Sequence, residues 1–124
     1  MGALYLASGT KISTMYGMKE IEFIDEGDMV LTIDPVTKKQ VYKKVTDTYI
    51  WTTAGLLEYD FGYDIKFTGT PIDMKIGSDV ETSWEETEKL IGLNELPEIL
   101  SFVYSMDVED THSFYANGIL VHTK

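Results

Sequence analysis

Val103-Tyr104-Ser105-Met106-Asp107-Val108, followed by Asp110-Thr111-His112-Ser113-Phe114-Tyr115-Ala116-Asn117-Gly118-Ile119-Leu120-Val121-His122, is the stretch on which the reading of this chain turns. Its β-branched and aromatic residues predict two closing strands, Leu100 to Val108 and Ser113 to Val121. Asn117-Gly118 interrupts the second strand. Both residue types tolerate the positive φ that a two-residue hairpin demands, so the dipeptide folds the strand back on itself.

The residues upstream have the same character. Lys11 to Thr14, Met18 to Ile24 and Met29 to Ile33 read as strands, separated by Tyr16-Gly17 and the turn Asp25-Glu26-Gly27-Asp28. Asp34-Pro35-Val36-Thr37 is a turn, because Pro fixes φ and Asp bonds its own backbone. From Gln40 to Trp51, Val41, Lys43 and Val45 alternate with Tyr42, Lys44 and Thr46, which suits a long half-exposed strand. Leu56 to Phe61 and Tyr63 to Thr68 flank Gly62 as a hairpin that Thr68-Gly69-Thr70-Pro71 terminates. One short helix is predicted over Ser83 to Ile91. Ser83 and Glu86 match a capping box, Trp84, Thr87, Leu90 and Ile91 share a face, and Gly92 ends it before Pro97. Two similar β-rich halves meet near Thr52 to Gly55.

Composition narrows the function. The 124 residues make one domain the natural prior, and 44% hydrophobic content supports a core. The absence of Cys excludes disulfides, thiolate metal sites and a cysteine nucleophile. A net charge of -11 argues against nucleic acid as a partner, which demands a basic footprint. No apolar run approaches the ~20 residues of a membrane span, and no leader opens the chain. The two His and many carboxylates form no metal pattern beyond adventitious zinc at His112 and His122.

The closing stretch resembles the final two sequence blocks of inteins, members of the Hint family of autoprocessing domains. Leu6-Ala7-Ser8-Gly9-Thr10-Lys11-Ile12 is similar to the family's opening block, and Glu26-Gly27-Asp28-Met29-Val30-Leu31 to its next element. The resemblance runs from Tyr5 to His122. It implies an all-β Hint fold: a flattened horseshoe of long strands with pseudo-two-fold halves and one short helix. It also implies self-catalysed protein splicing, in which the domain excises itself and joins the flanking exteins in one turnover without a cofactor. In that scheme a first-residue thiol or hydroxyl attacks the preceding carbonyl. A Thr-x-x-His motif polarises that carbonyl, and a His beside a terminal Asn assists its cyclisation.

This sequence departs from the scheme at several positions. Tyr5 holds the nucleophile position, and its ring cannot copy the compact attack of Ser or Cys. The Thr-x-x-His motif falls on Thr68-Gly69-Thr70-Pro71, so Thr68 survives and Pro71 replaces the His. Ser105 stands where the family often has Asp, a place from which some members lacking a first nucleophile start the reaction. Thr123 replaces the terminal Asn, while His112 and His122 remain. If an active parent had Pro71, another group must replace the imidazole, and Tyr63, Lys66 and Asp73 are close in sequence. The chain as written should not splice.

Two accounts fit. In one the chain is a blocked precursor of a cysteine-free intein, with residues 1–4 as upstream extein or appended residues and residues 123–124 at the downstream junction. Gly2-Ala3-Leu4 also resembles part of a family B DNA polymerase motif, too little to assign a host. In the other it is a decayed Hint remnant acting as a non-catalytic structural or interaction module. The partners implied are the flanking exteins in cis, a monomer otherwise, in the compartment of the host, cytoplasmic by analogy. Hedgehog-like cholesterol transfer lacks both its Cys and room for a sterol-recognition segment.

Other residues have plainer readings. Thr10 bonds across the central strands, and Ser8 would be a nucleophile only in a shortened register. Trp51 and Trp84 pack at the core or its rim. Glu81, Glu85, Glu86 and Glu88 form a solvated helix face, or steer a basic partner such as the complementary half of a split intein.

Overall fold

The alternating run after Gln40 becomes the axis of the sheet, a 14-residue strand β5 (Gln40–Thr53) that pairs on both sides. The computed structural model describes residues 4–123, so Gly2, Ala3 and Lys124, assigned above to flanking sequence, lie outside the described residues. Before β5 come β1 (Leu6–Ala7), β2 (Lys11–Thr14), β3 (Gly17–Glu20) and β4 (Met29–Ile33). After it come β6 (Leu57–Asp60), β7 (Lys66–Gly69), β8 (Asp79–Glu81), β9 (Thr87–Lys89) and β10 (Gly92–Glu95). The chain closes with β11 (Ser101–Val108), β12 (Ser113–Ala116) and β13 (Ile119–His122). Among the described residues an 11-stranded sheet runs β10-β6-β7-β1-β11-β5-β4-β2-β12-β13, with β3 on β2, while β8 and β9 pair separately. The predicted all-β class is what the chain adopts.

The ladder of β5 with β11 joins two wings, one built on β7 and β6, the other on β4, β2 and the last hairpin. Tyr59, Phe67, Leu6, Ile12, Val30, Val45, Met106 and Phe114 meet between them, each no more than 1% exposed. Side chains of this size stabilise by about 1.5–3 kcal/mol each when fully buried. At Asn117-Gly118 the predicted hairpin turn forms with φ of 50° and 84°. The Asn117 side chain accepts the Lys11 N–H and donates to the Lys66 carbonyl, which ties both wings to the turn.

The helix expected over Ser83 to Ile91 is absent. That segment is the turn and second strand of the β8–β9 hairpin. Thr82, one residue before the expected cap, exchanges bonds with Glu86: its hydroxyl accepts the Glu86 N–H and donates to the Glu86 carbonyl. Glu85 takes φ 64°, which no right-handed helix allows. The Trp84 ring lies so close to Gly118 that a Cβ there would sit 2.4 Å from it. Tertiary docking therefore outweighs a local cap signal in a segment too short to be a stable helix alone. Among the described residues the one helical segment is a three-residue 3-10 turn, Ile21–Phe23, in the second half of the run read as a strand from Met18 to Ile24. No helix among them is long and apolar enough to cross a membrane.

Candidate functional site

β1 is two residues long, yet it lies between β7 and β11 and so carries its neighbours into the middle of the sheet. Leu6 is paired with Gly69 on one side and Tyr104 on the other. One residue back along both ladders, Tyr5 falls between Thr70 and Ser105, and Ser105 is in turn opposite Tyr49 of β5. A row Thr70–Tyr5–Ser105–Tyr49 thus crosses four chain segments. Cross-strand partners share a face, so these side chains gather on one side of the sheet.

Thr70 holds the Tyr5 peptide from both ends. The Tyr5 N–H donates to the Thr70 hydroxyl at 3.0 Å, and the Thr70 N–H donates to the Tyr5 carbonyl at 2.9 Å. This close approach needs Gly69, where a Cβ would stand 2.7 Å from the Tyr5 carbonyl oxygen. Tyr59, buried beneath, fixes the segment further: its hydroxyl donates to the Thr70 carbonyl and accepts the Ile72 N–H. Burial pushes the Tyr59 phenol above its ordinary value, so it stays a neutral donor. The preceding residue, Leu4, is 2% exposed, which leaves its carbonyl in a protein-lined setting.

The Tyr5 ring turns toward Trp51, with centroids 5.6 Å apart and planes tilted by 57°. Trp51 is half exposed at the rim. Ser105 is 5% exposed. Tyr49 donates its hydroxyl to the Asp107 carboxylate at 2.9 Å, one step along the same face of β11. That bond, helped by the negative charge of Asp107, pushes the Tyr49 phenol up to about 12.

The other candidates gather at the end of the last hairpin. Thr123 donates both its N–H, at 2.9 Å, and its hydroxyl, at 3.0 Å, to the His112 carbonyl. His112 has φ 51°, and its Nδ1 is buried with no partner among the described residues. His122, opposite Ser113, is exposed and lines a cavity of about 400 Å³ with Asp79, Glu81, Thr111 and Leu120.

Several expected residues stand elsewhere. By register Thr68 faces Ala7, and Pro71 is exposed beside a groove lined by Leu56, Leu57 and Leu96. Thr70 occupies the place beside Tyr5 that the sequence pattern gave to Thr68. Counted from Thr70, the Thr-x-x-His spacing ends on Asp73, which is exposed. Lys66 pairs with Glu58, and Tyr63 is 93% exposed in a turn. Thr10 donates locally to the Ala7 carbonyl instead of across strands, and Ser8 is exposed and bonded to Glu22. Glu81, Glu85 and Glu86 border a second cavity, of about 420 Å³, on the hairpin instead of a helix face. Among the described residues no three His, Asp or Glu side chains converge as a metal site. Sequence reasoning quoted Thr70 only as an inner position of the Thr68–Pro71 motif and gave no part to Tyr59 beneath it.

Known structures share this fold. A bacterial intein-like domain from Clostridium thermocellum matches with a TM-score of 0.84 and 25% identity, over 98% of this chain and 99% of that one. The gp41-1 intein matches at 0.79 and 24% identity, over 98% and 99%. A DnaB intein from Synechocystis matches at 0.85 and 15% identity, again over 98% and 99%. No family model and no curated protein matches the sequence.

Proposed function

We propose that this chain, which has the Hint fold of inteins, is a protein-splicing domain blocked at its first and its last chemical step. The observation that carries the reading is the cradle around residue 5: Thr70 grips both sides of its peptide while the side chain in the cradle is a phenol. Ser or Cys there could close a five-membered ring on the Leu4 carbonyl carbon. Its Oγ or Sγ would form the new bond as the Leu4–residue 5 amide breaks. The Tyr5 oxygen sits at the far end of a rigid ring and cannot bend back onto its own upstream carbonyl.

At the other end Thr123 has no side-chain amide to cyclise, although His112 and His122 stand beside it. The whole chain is then one autoprocessing domain. Residues 1–4 stand for upstream extein and residues 123–124 for the junction, the substrates are the flanking chains in cis, and no cofactor takes part. The acidic groove lined by Glu81, Glu85 and Glu86 offers a place for a basic complementary fragment if the parent is split.

One observation favours a second reading, a decayed remnant retained as a non-catalytic module. Neither Pro71 nor Asp73 supplies an imidazole beside Thr70, so the acid expected for the departing amine is absent from both registers. Intact mass of the purified chain tests the block. The full mass should persist through prolonged incubation, and fragments cut at Leu4–Tyr5 or His122–Thr123 would overturn it. The Tyr5→Cys chain separates the two readings: a splicing scaffold loses residues 1–4 to hydroxylamine, while a folded remnant stays whole.

A further inference from the structure

The last hairpin is tied to β4 by a hydroxyl that the scheme above does not use. Thr32, in β4, is fully buried, and its hydroxyl donates to the Thr111 hydroxyl at 2.9 Å. It shares a second bond, at 2.7 Å, with the buried hydroxyl of Ser113. Thr111 and Ser113 are the two residues that flank His112. β4 and β12 are not neighbours in the sheet order, so these bonds join elements that no ladder joins among the described residues. Between its two held flanks His112 takes φ 51°, a left-handed conformation that a non-glycine residue keeps only where its surroundings impose it. In that conformation its carbonyl accepts both the N–H of Thr123, at 2.9 Å, and the Thr123 hydroxyl, at 3.0 Å.

We infer that Thr32 is a positioning residue for the downstream junction: by holding Thr111 and Ser113 it sets the turn at His112, whose carbonyl in turn holds residue 123. The consequence for chemistry rests on the splicing reading. With Asn at position 123 the backbone N–H keeps its bond to that carbonyl, and the side-chain amide takes the donor's place that the Thr123 hydroxyl now fills. In cyclisation the Asn side-chain nitrogen bonds to its own main-chain carbonyl carbon, and the peptide bond to Lys124 breaks. One proton passes from that nitrogen to the freed Lys124 amine. A succinimide and free lysine form, and no water is consumed. Thr32 bonds to the neighbours of His112 and acts through the placement of residue 123, where an error of about 1 Å costs on the order of 100-fold in rate.

The test reads the two ends of the chain separately. Full-length Thr123→Asn reports the last step by loss of Lys124, and full-length Tyr5→Cys reports the first by hydroxylamine-induced loss of residues 1–4, both by intact mass. Each is made alone and with one of three changes. Thr32→Val keeps the shape and removes the hydroxyl, Thr32→Ser keeps the hydroxyl, and Thr111→Val is a gentler change at a half-buried position. Thermal melting confirms folding. Thr32→Val should slow the loss of Lys124 by on the order of 100-fold and Thr111→Val by on the order of 10-fold, while the first step changes by less than about 3-fold. Thr32→Ser should keep the loss of Lys124 within about 3-fold of the Thr123→Asn parent. In the chain that retains Thr123, Thr32→Val should speed hydrogen exchange of the Thr123 amide by on the order of 10-fold relative to the β13 amides.

Equal slowing at both ends, or faster exchange all along β13, would mark a merely structural bond and overturn the inference. So would an unchanged loss of Lys124 in Thr32→Val, or in Thr111→Val where Thr32→Val does not fold. Slow loss of Lys124 in Thr32→Ser overturns it too, because the methyl group and not the hydroxyl would then set the geometry. A Thr123→Asn chain that folds with Thr32 in place and keeps Lys124 brings down the splicing reading at its last step, and the inference with it. A parent that releases Lys124 while its Thr32 variants keep pace brings down the inference alone.

Discussion

At Thr70 a two-residue shift separates what the sequence permits from what the chain does. Thr68 and Thr70 lie on the same face of one segment, because side chains along a strand repeat every second residue. Pattern alone cannot choose between them, and only the pairing of Gly69 with Leu6 sets Thr70 beside Tyr5. Tyr49 was hidden for a related reason: its row to residue 5 passes through β11, more than 50 residues later in the chain. By contrast, the roles proposed for Tyr5 and Thr123 rest on single positions in a motif whose chemistry needs a particular atom. Tyr59 belongs to this scale as the support under Thr70. Tyr59→Phe removes the hydroxyl that donates to the Thr70 carbonyl and accepts the Ile72 N–H. The variant should lose about 1–3 kcal/mol in urea unfolding, with the Ile72 amide exchanging faster than its neighbours. An unchanged midpoint would show that the hydroxyl supports nothing.

Among the elements, strands whose pattern repeats over several residues were recovered nearly to the residue. Met29–Ile33 and the start of the long strand at Gln40 are examples, and the Asn117-Gly118 turn fell where its φ requirement put it. The β8–β9 hairpin was not legible. Its sequence contains a helix start signal, but its conformation is decided by Ser83 donating to the Gly118 carbonyl and by Trp84 covering Gly118. Glu85 discriminates between the two conformations. At φ 64° Glu85→Gly relieves backbone crowding, so stability should hold or rise by up to about 1 kcal/mol. In an exposed helix the same change would cost about 1 kcal/mol. Urea midpoints of the two proteins decide it.

For the whole molecule, the charge of -11 makes acid the informative perturbation. Burial pushes the Asp28 carboxyl up, but the Asp25 N–H and the Lys19 ammonium together hold it below the ordinary 3.8. Burial likewise opposes, and the Gly9 N–H and Ser8 hydroxyl outweigh it, in holding Glu22 below 4.5. Each such group binds its proton more weakly folded than unfolded. Its contribution is therefore complete above those ordinary values and is lost as pH falls through the lowered ones. Asp28→Asn should cost about 1 kcal/mol or less at pH 7 and flatten the stability curve below about pH 4. Urea titrations at several pH values would show it, and a curve of unchanged slope would deny Asp28 that part. The Lys19 partner has the opposite sign: its bond to Asp28 raises it above 10.5, so its share persists at neutral pH and fades in strong base.

The same scale holds the central claim, that a complete Hint scaffold is stopped by the side chains at its two ends. The most direct measurement places residues 5–122 between two reporter proteins, with Tyr5→Cys at the first position and Thr123→Asn followed by Ser at the last. Intact mass spectrometry then follows the products. The account predicts a ligated pair of reporters and a free excised domain. A precursor that is folded, soluble and uncleaved at both junctions would contradict it, and would leave the fold standing as a remnant without its chemistry.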